Sequence, residues 1–520
     1  MSRLRRFKYS LFSGYSLLGA TVVYSLASVP VALHYLPRVE FGLWALVMQI
    51  SQYLQLIDLG MSVSIARILI DHKDRPAEGT YGAVIKTGML VLAVQGAVIA
   101  VAGSALSFWL PALFNLPAVN WHDFRILVAA QCVVLGVLFT GRMPRYLLEA
   151  HQRYDAANYS QVGALIANFG VMWWSFARGW GLYSFLAGYL AFQVVGVAWS
   201  WVAAAKLGFF PPAGAWGRVN GKTFHELFAY GKEVFLLNVG QQLVSASQIM
   251  VITRAMGPDA AAVWSIATKP FQLAQQVVFK LLDFSSSAFA EMMVRQERER
   301  LLARFRDLLM VTASLAVWAG LTVALCNQDF LVYWTKGRIA WNNSSNWLMA
   351  LVVVVYATTR CGIGFIGITK QIFAMKYIYL FEGLAFVASS LLVAPAWGLN
   401  GIIMSALLTD VLFSGVYGIW RTKRYFQVDG RLVLGWLFRP ILYLVSFGLT
   451  LGLLWWAGLA WHPLWRLTLD ATAALIVGFG LFWQIGLLPH LRAEARTVLS
   501  KFFGRLRPFF SQAEDPKMKV

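Results

Sequence analysis

Long apolar segments recur along the whole of this 520-residue chain. A helix needs about 20 mostly apolar residues to cross a bilayer, because lipid offers the backbone no hydrogen-bond partners. The sequence therefore predicts an all-α polytopic membrane protein with about 14 transmembrane helices. These predicted spans cover residues 11–33, 41–66, 83–107, 124–146, 157–177, 182–205, 227–252, 260–286, 305–326, 347–369, 376–395, 399–420, 436–458 and 467–488.

The composition excludes most soluble classes of protein. Apolar residues make up 59% of the chain and charged residues only 13%, whereas soluble domains carry roughly 25% charged residues. A soluble enzyme, a nucleic-acid-binding protein and a disordered scaffold are therefore not expected. Cys132, Cys326 and Cys361 lie far apart and show neither metal-ligand spacing nor a disulfide pattern.

The distribution of positive charge predicts the orientation in the membrane. With a cytoplasmic N-terminus, alternate connections and the two tails, counted together with the span ends next to them, hold 32 of the 44 Lys and Arg residues. The outer connections and their span ends hold seven, and the interiors of the spans hold five. This is the positive-inside pattern of multi-pass proteins, and it places both termini in the cytoplasm.

An internal repeat predicts two pseudo-symmetric six-helix bundles. Trp180-Gly181-Leu182, between spans 5 and 6, matches Trp397-Gly398-Leu399, between spans 11 and 12. Two similar bundles around a central cavity are typical of alternating-access transporters. The predicted divisions are an N-terminal bundle (1–205), a cytoplasmic linker (206–225), a C-terminal bundle (226–420), two additional transmembrane helices (436–488) and a basic amphipathic cytoplasmic tail (489–520).

Span 8 carries the clearest polar stripe. Lys269, Gln272, Gln276, Lys280 and Asp283 follow helical spacings and share one face. Polar groups are costly in lipid, so this face is expected to line a water-filled cavity that binds substrate. The alternative is that the charged ends extend to the two membrane surfaces while the glutamines bond neighbouring helices.

Spans 7 and 2 carry similar polar faces. We predict that these faces contribute to the same substrate-binding cavity, because spans 1, 2, 7 and 8 are equivalent pairs in the two repeats. The candidates are Asn238, Gln241, Ser245 and Gln248 in span 7, Gln55 and Asp58 in span 2, and Arg67 near the cytoplasmic end of span 2.

Three further charges lie deep in predicted spans. Glu382 and Asp410 have no obvious partner in the sequence, and Arg360 lies in span 10. Either the carboxylates pair with a cation such as Arg360, or they form a proton or sodium site that couples transport to an ion gradient. We find no catalytic constellation and no cofactor or metal motif, so transport is favoured over catalysis.

The opening of span 2 resembles a known family. Glu40-Phe41-Gly42-Leu43-Trp44-Ala45-Leu46, then Leu56-Ile57-Asp58-Leu59-Gly60, then Ser64 and Arg67, is similar to bacterial polysaccharide and O-antigen flippases. These belong to the multidrug/oligosaccharidyl-lipid/polysaccharide exporter superfamily.

The resemblance implies a function and a location. Flippases of this kind move undecaprenyl-diphosphate-linked oligosaccharides from the inner to the outer leaflet of the bacterial plasma (inner) membrane. The glycan would be a precursor of O-antigen, exopolysaccharide or capsule. The resemblance also implies a cationic central cavity, membrane lipids as partners, coupling to protons or sodium, and cooperation with a polysaccharide polymerase and export machinery. We expect the polyprenyl tail to stay in lipid and to leave through a gap near spans 1 and 8.

Other functions fit the sequence less well. A drug or cation antiporter of the same superfamily normally has twelve spans and an acidic cavity. A major-facilitator transporter normally carries a Gly-x-x-x-Asp-Arg/Lys-x-Gly-Arg/Lys motif after span 2, where this chain reads Asp71-His72-Lys73-Asp74-Arg75-Pro76. A polysaccharide polymerase or glycosyltransferase needs a large outer loop, and the longest outer connection here runs only from Asn327 to Asn346.

Overall fold

A computed structural model describes residues 3–369, 373–457 and 463–497. Over these ranges the regular structure is helical and contains no strand. The predicted amphipathic tail lies mostly outside the described residues, because residues 498–520 are not among them. Residues 489–497 are helical.

Helices cover every predicted span. Those of the first half of the chain are α1 (Arg3–Tyr35), α2 (Arg38–Leu54), α3 (Met61–His72), α4 (Thr80–Leu106), α5 (Leu110–Leu113), α6 (Trp121–Phe139), α7 (Met143–Ala150), α8 (Tyr154–Ala177), α9 (Tyr183–Lys206), α10 (Gly221–Ser245) and α11 (Ser247–Met256). The remainder are α12 (Pro258–Ala267), α13 (Lys269–Val294), α14 (Arg298–Trp334), α15 (Asn343–Ile368), α16 (Phe373–Asp410), α17 (Val416–Phe426), α18 (Gly430–Gly435), α19 (Phe438–Ala457) and α20 (Pro463–Leu481).

Length and hydropathy make this a multi-pass membrane protein. Over the described ranges, ten helical segments are long and apolar enough to cross a bilayer, and a bent pair made by α2 and α3 raises the number to 11. One of the ten, Ala374–Phe426, contains two predicted spans, because α16 is kinked at Gly398 (φ 57°). The count of 14 crossings stays a prediction.

Span 2 is not the straight helix that the sequence predicts over 41–66. A 3₁₀ turn at Gln55–Asp58 follows α2, and Leu59 and Gly60 both take left-handed conformations, with φ of 49° and 73°. The axes of the two parts differ by 47°. A Cβ on Gly60 would lie 2.4 Å from the carbonyl oxygen of Gly231 in α10. Glycine is therefore needed at this position both for the left-handed backbone of the turn and for the close contact with α10.

The chain divides into two compact units. The first comprises the described parts of residues 3–269, 331–345 and 373–414, and the second those of 270–330, 346–369 and 415–497. These divisions differ from the two predicted six-helix bundles, whose boundaries stay a prediction.

In the first unit, helices pack in pairs, most of which join helices that are not consecutive along the chain. α8 packs on α1 and α9, α4 packs on α6, and α10 packs on α16. One core cluster joins α3, α4, α6 and α7 through residues such as Ile65, Tyr81 and Phe139, each exposing 1% or less of its surface.

In the second unit an aromatic cluster forms the core. Phe289 of α13, Phe305 of α14, Phe365 of α15 and Phe426 of α17 are buried against one another. This core fixes the side of α13 that points inward and leaves its opposite side exposed.

Candidate substrate-binding site

The predicted polar stripe lies on a single helix, α13. Gln272, Gln276 and Asp283 are exposed, and Lys269 and Lys280 are partly buried. The opposite face holds Phe271, Val278, Leu282 and Phe289, which are all buried. The helix begins at Lys269, immediately before Pro270, and Thr268 separates it from α12, which ends at Ala267.

The C-terminal part of this stripe, Lys280 and Asp283, belongs to an ion-paired cluster. Asp283 accepts a hydrogen bond from Arg360 of α15 at 3.2 Å and pairs with the Lys280 ammonium at 3.6 Å. The Arg360 guanidinium also stacks on Phe279, 4.4 Å from the ring centre. One carboxylate thus serves two cations, and the cluster keeps a net charge of about +1.

The predicted residues of spans 2 and 7 take varied positions. Gln55 lines a cavity described below. Asp58 instead caps α3, since its carboxylate accepts hydrogen bonds from the backbone N–H and the hydroxyl of Ser62. Arg67 is exposed. In span 7, Asn238 and Gln248 are half-buried while Gln241 and Ser245 are exposed, and the helix breaks at Ala246, between Ser245 and Gln248.

The two intramembrane carboxylates lie together in the first unit. Glu382 exposes 2% of its surface and Asp410 7%, and they are close enough to repel each other electrostatically. Glu382 accepts a hydrogen bond from the Ser414 hydroxyl. Arg360 pairs with Asp283, as described above. In the described ranges, no group of three His, Cys, Asp or Glu side chains has the arrangement of a metal site.

A polar cavity of about 550 Å³ lies inside the first unit. Its volume falls within the range of roughly 300–1,000 Å³ typical of small-molecule sites. Amides and hydroxyls dominate the lining, and this is the chemistry that binds sugar hydroxyls. The polar lining residues are Ser51, Gln52, Gln55, Arg142, Arg145, Tyr146, Glu149, Ser160, Gln161, Tyr189, Gln193 and Ser200.

Arg142 gives this cavity its charge. It ends a 3₁₀ turn between α6 and α7, and its guanidinium lies over Phe139, 4.4 Å from the ring centre. The neighbouring Arg145 is paired with Glu149 at 3.0 Å. Arg142 has no ion pair among the residues that the structure describes; Asp58 acts on it only through a longer-range field. The cavity therefore offers one guanidinium whose charge is not neutralised.

The sequence prediction missed this cavity. The sequence places Arg142 and Arg145 at the cytoplasmic end of span 4, where positive-inside residues are expected. The one sequence signal for the turn is Gly141-Arg142 followed by Pro144, which interrupts the helix. Nothing in the spacing indicates that the side chain turns inward.

At one end of the first unit, α2 and α12 are in close contact. A Cβ on Gly42 would lie 1.8 Å from the carbonyl oxygen of Pro258, so no larger residue fits without separating the helices. Arg38 bridges the same two helices by pairing with Asp259 at 3.2 Å, and it also donates to the carbonyl of Arg338, which follows α14. By the predicted orientation this contact lies at the outer end.

The fold is that of transporters of the MOP superfamily. The chain superimposes on an inward-facing multidrug-resistance MATE transporter with a TM-score of 0.63 at 10% identity, covering 78% of this chain and 96% of that one. It superimposes on the lipid II flippase MurJ, inward closed, with a TM-score of 0.61 at 12% identity, covering 90% and 99%. A MOP transporter from Pyrococcus furiosus, described as having a binding pocket of reverse polarity, gives 0.55 at 14%, covering 82% and 97%.

The family follows from the sequence itself. The profile of the family described as "Polysaccharide biosynthesis protein" matches residues 33–346, more than half of the chain. This protein therefore belongs to that polysaccharide biosynthesis family, as its resemblance to the polysaccharide flippases indicates. No curated protein sequence matches the chain.

Proposed function

We propose that this protein is a flippase for undecaprenyl-diphosphate-linked oligosaccharides, moving them from the inner to the outer leaflet of the bacterial plasma membrane. The observation that carries the proposal is the polar cavity with Arg142. A diphosphate bears about two negative charges and cannot enter hydrocarbon unaided. A guanidinium without an internal partner can replace part of its hydration, and bidentate binding suits phosphate oxygens.

Two cationic positions supply the substrate path. Arg142 lies in the cavity of the first unit, and Lys269 and Lys280 lie on the exposed face of α13. Glutamine side chains at both positions, and hydroxyl groups in the cavity, match the hydroxyls of a glycan. An acidic cavity, as expected for a drug or cation exporter, would present carboxylates instead. In the cavity lining as described, the one carboxylate is Glu149, and it is paired.

Alternating access supplies the movement, coupled to a proton or sodium gradient through Glu382 and Asp410. Burying two carboxylates together is costly unless a cation or proton is shared between them. In this proposal both termini are cytoplasmic, the α2–α12 contact at Gly42 is the outer gate, and the protein works beside a polysaccharide polymerase and export machinery.

The test uses purified protein in liposomes with a fluorescent undecaprenyl-diphosphate oligosaccharide on one leaflet. Loss of accessibility to a membrane-impermeant quencher reports translocation, with and without an imposed ion gradient. Wild type is compared with Arg142→Ala, with the double variant Lys269→Ala plus Lys280→Ala, and with a control, Arg125→Ala. Arg125 stacks on Trp121 and donates to a backbone carbonyl outside the cavity.

We expect movement of the lipid by wild type and by the Arg125→Ala control. Movement should be slower with Arg142→Ala and with the Lys269→Ala plus Lys280→Ala double variant. Movement by all folded variants would support the proposed flippase function but would show that Arg142, Lys269 and Lys280 do not form the substrate-binding site. Absence of movement by wild type with several glycans and both gradients would contradict the proposed function.

A further inference from the structure

A second cavity in the first unit is almost purely apolar. It measures about 290 Å³ and is lined by α2, α4, α5 and the start of the following loop, together with Met250 of α11. The hydrocarbon side chains that bound it include Ile50, Leu54, Leu106 and Leu113. Apolar cavities of this kind stay dry, since water finds no hydrogen-bond partners there.

The volume suits a short hydrocarbon segment. A dry cavity of about 150 Å³ holds one benzene molecule. A cavity of 290 Å³ therefore has room for about twelve carbons, or about two isoprene units, on the same scale. Leu106 and Leu113 keep 48% and 53% of their surfaces exposed, so the cavity opens outward at these residues.

The two cavities lie on opposite faces of α2. Ser51, Gln52 and Gln55 line the polar cavity, whereas Ile50 and Leu54 line the apolar one. At about 100° per residue the centres of these two sets of residues are about 130° apart. One helix thus separates a site for a charged, hydroxylated group from a site for a hydrocarbon chain.

Hydrogen bonds link α2 to the junction of α10 and α11. The Tyr53 hydroxyl donates to the carbonyl of Gln242 at 3.2 Å and shares a hydrogen bond with the Ser247 hydroxyl. The Gln242 side-chain amide donates to the carbonyl of Gln52 at 3.3 Å. These few bonds hold α2 against the junction of α10 and α11.

We infer that the apolar cavity holds the isoprene units nearest the diphosphate while the head group occupies the protein interior. This inference rests on the proposed function and specifies where the substrate tail binds. A polyprenyl chain is favoured because α2 lines both this cavity and the cationic, sugar-compatible site, so head and tail of one molecule are accommodated together. The tail then leaves between α2 and α11, not through the gap near spans 1 and 8 that the sequence led us to expect.

The experiment maps where the tail lies. Undecaprenyl diphosphate with a diazirine in its first isoprene units is bound to wild-type protein in nanodiscs, photolysed, and its adducts are located by peptide mass spectrometry. We expect adducts on the peptides that contain Leu54, Leu106 and Leu110–Phe114. Excess unlabelled undecaprenyl diphosphate should remove them, and excess phosphatidylglycerol should not.

A variant that fills the cavity provides the second measurement. Leu113→Trp places an indole in the cavity from a half-exposed position, so folding is expected to be unaffected. Excluding even two methylene groups lowers affinity about tenfold, and adduct yield at subsaturating probe should fall by that factor. Val101→Trp, on an exposed position of α4 that does not line the cavity, should leave the yield unchanged.

Adducts confined to α1 and α13, equal competition by phosphatidylglycerol, or equal yields from the two Trp variants would each overturn the inference. Translocation is measured on the same preparations. Translocation without adducts in the cavity overturns this inference and leaves the proposed function standing. Specific adducts without translocation support this inference and contradict the proposed function.

Discussion

In the first unit Arg142 faces a cavity and has no ion pair among the described residues, whereas in the second unit Arg360 and Lys280 share Asp283. Both arrangements place arginine beside an aromatic ring within a membrane helix bundle. They differ in whether a carboxylate already satisfies the cation. An ion-paired cation binds an incoming anion weakly because the existing pair must first be broken. We therefore propose that Arg142 has the main anion-binding role.

Reversing the charge of the cavity should have the largest effect. Arg142→Glu replaces the guanidinium with a negatively charged carboxylate. The carboxylate repels the diphosphate, and the hydrogen bonds from the guanidinium are lost as well. We expect undecaprenyl diphosphate affinity to fall by about a hundredfold or more, measured by native mass spectrometry. The matched variant Arg360→Glu, in the ion-paired cluster, should weaken binding far less. Equal losses would mean that the two cations do not differ in role.

Removing the shared carboxylate should make the second cluster resemble the first. Asp283→Asn leaves Lys280 and Arg360 without their partner while keeping the shape of the side chain. Because these groups are half-exposed, the pair is worth only about 0.2–1 kcal/mol, so anion affinity should rise about two- to fivefold. Asp283→Glu keeps the charge and should bind as wild type does. A fall in affinity for Asp283→Asn would contradict the comparison.

Truncating the neutralised arginine should have a small effect on transport. Arg360→Ala removes one exposed ion pair and a stacking contact, so the translocation rate should stay within about twofold of wild type. The thermal unfolding midpoint in detergent should fall slightly. A tenfold loss of translocation in a folded Arg360→Ala protein would show that this cation contacts substrate directly.

Asp58 should prove to be structural. Asp58→Ala removes the cap of α3, which typically costs about 1 kcal/mol of stability. We therefore expect a lower unfolding midpoint, with anion affinity unchanged or slightly raised, since the negative field on Arg142 is lost. Ser62→Ala, which removes one of the two groups bonded to Asp58, should lower the midpoint less. Complete loss of binding in either variant would place Asp58 in the substrate site.

The helical class and the polar face of α13 could be predicted from the sequence, because both follow from periodicity. The stripe from Lys269 to Asp283 lies on one helix, and its opposite face is buried as the spacing requires. The turn predicted around Trp397-Gly398 also appears, as a kink with positive φ. Each of these features depends only on residues within a few turns of one another.

What the sequence could not predict depends on distant partners. Asp58-Leu59-Gly60 could be recognised as a motif, but its left-handed bend is stabilised by the close approach of Gly231 from another helix. Arg142 could be recognised as a positive charge, but its lack of an ion-pair partner depends on which side chains α7, α8 and α9 bring to the cavity. The pairing of Arg360 with Asp283 joins positions 77 residues apart.

The most direct test of this account is the affinity of undecaprenyl diphosphate for three proteins in nanodiscs: wild type, Arg142→Ala and Arg360→Ala. The account predicts that Arg142→Ala binds about 10–100-fold more weakly than wild type, because charge-assisted hydrogen bonds are lost. Arg360→Ala should bind within about twofold of wild type. Unchanged binding by a folded Arg142→Ala protein, together with a large loss in Arg360→Ala, would contradict it.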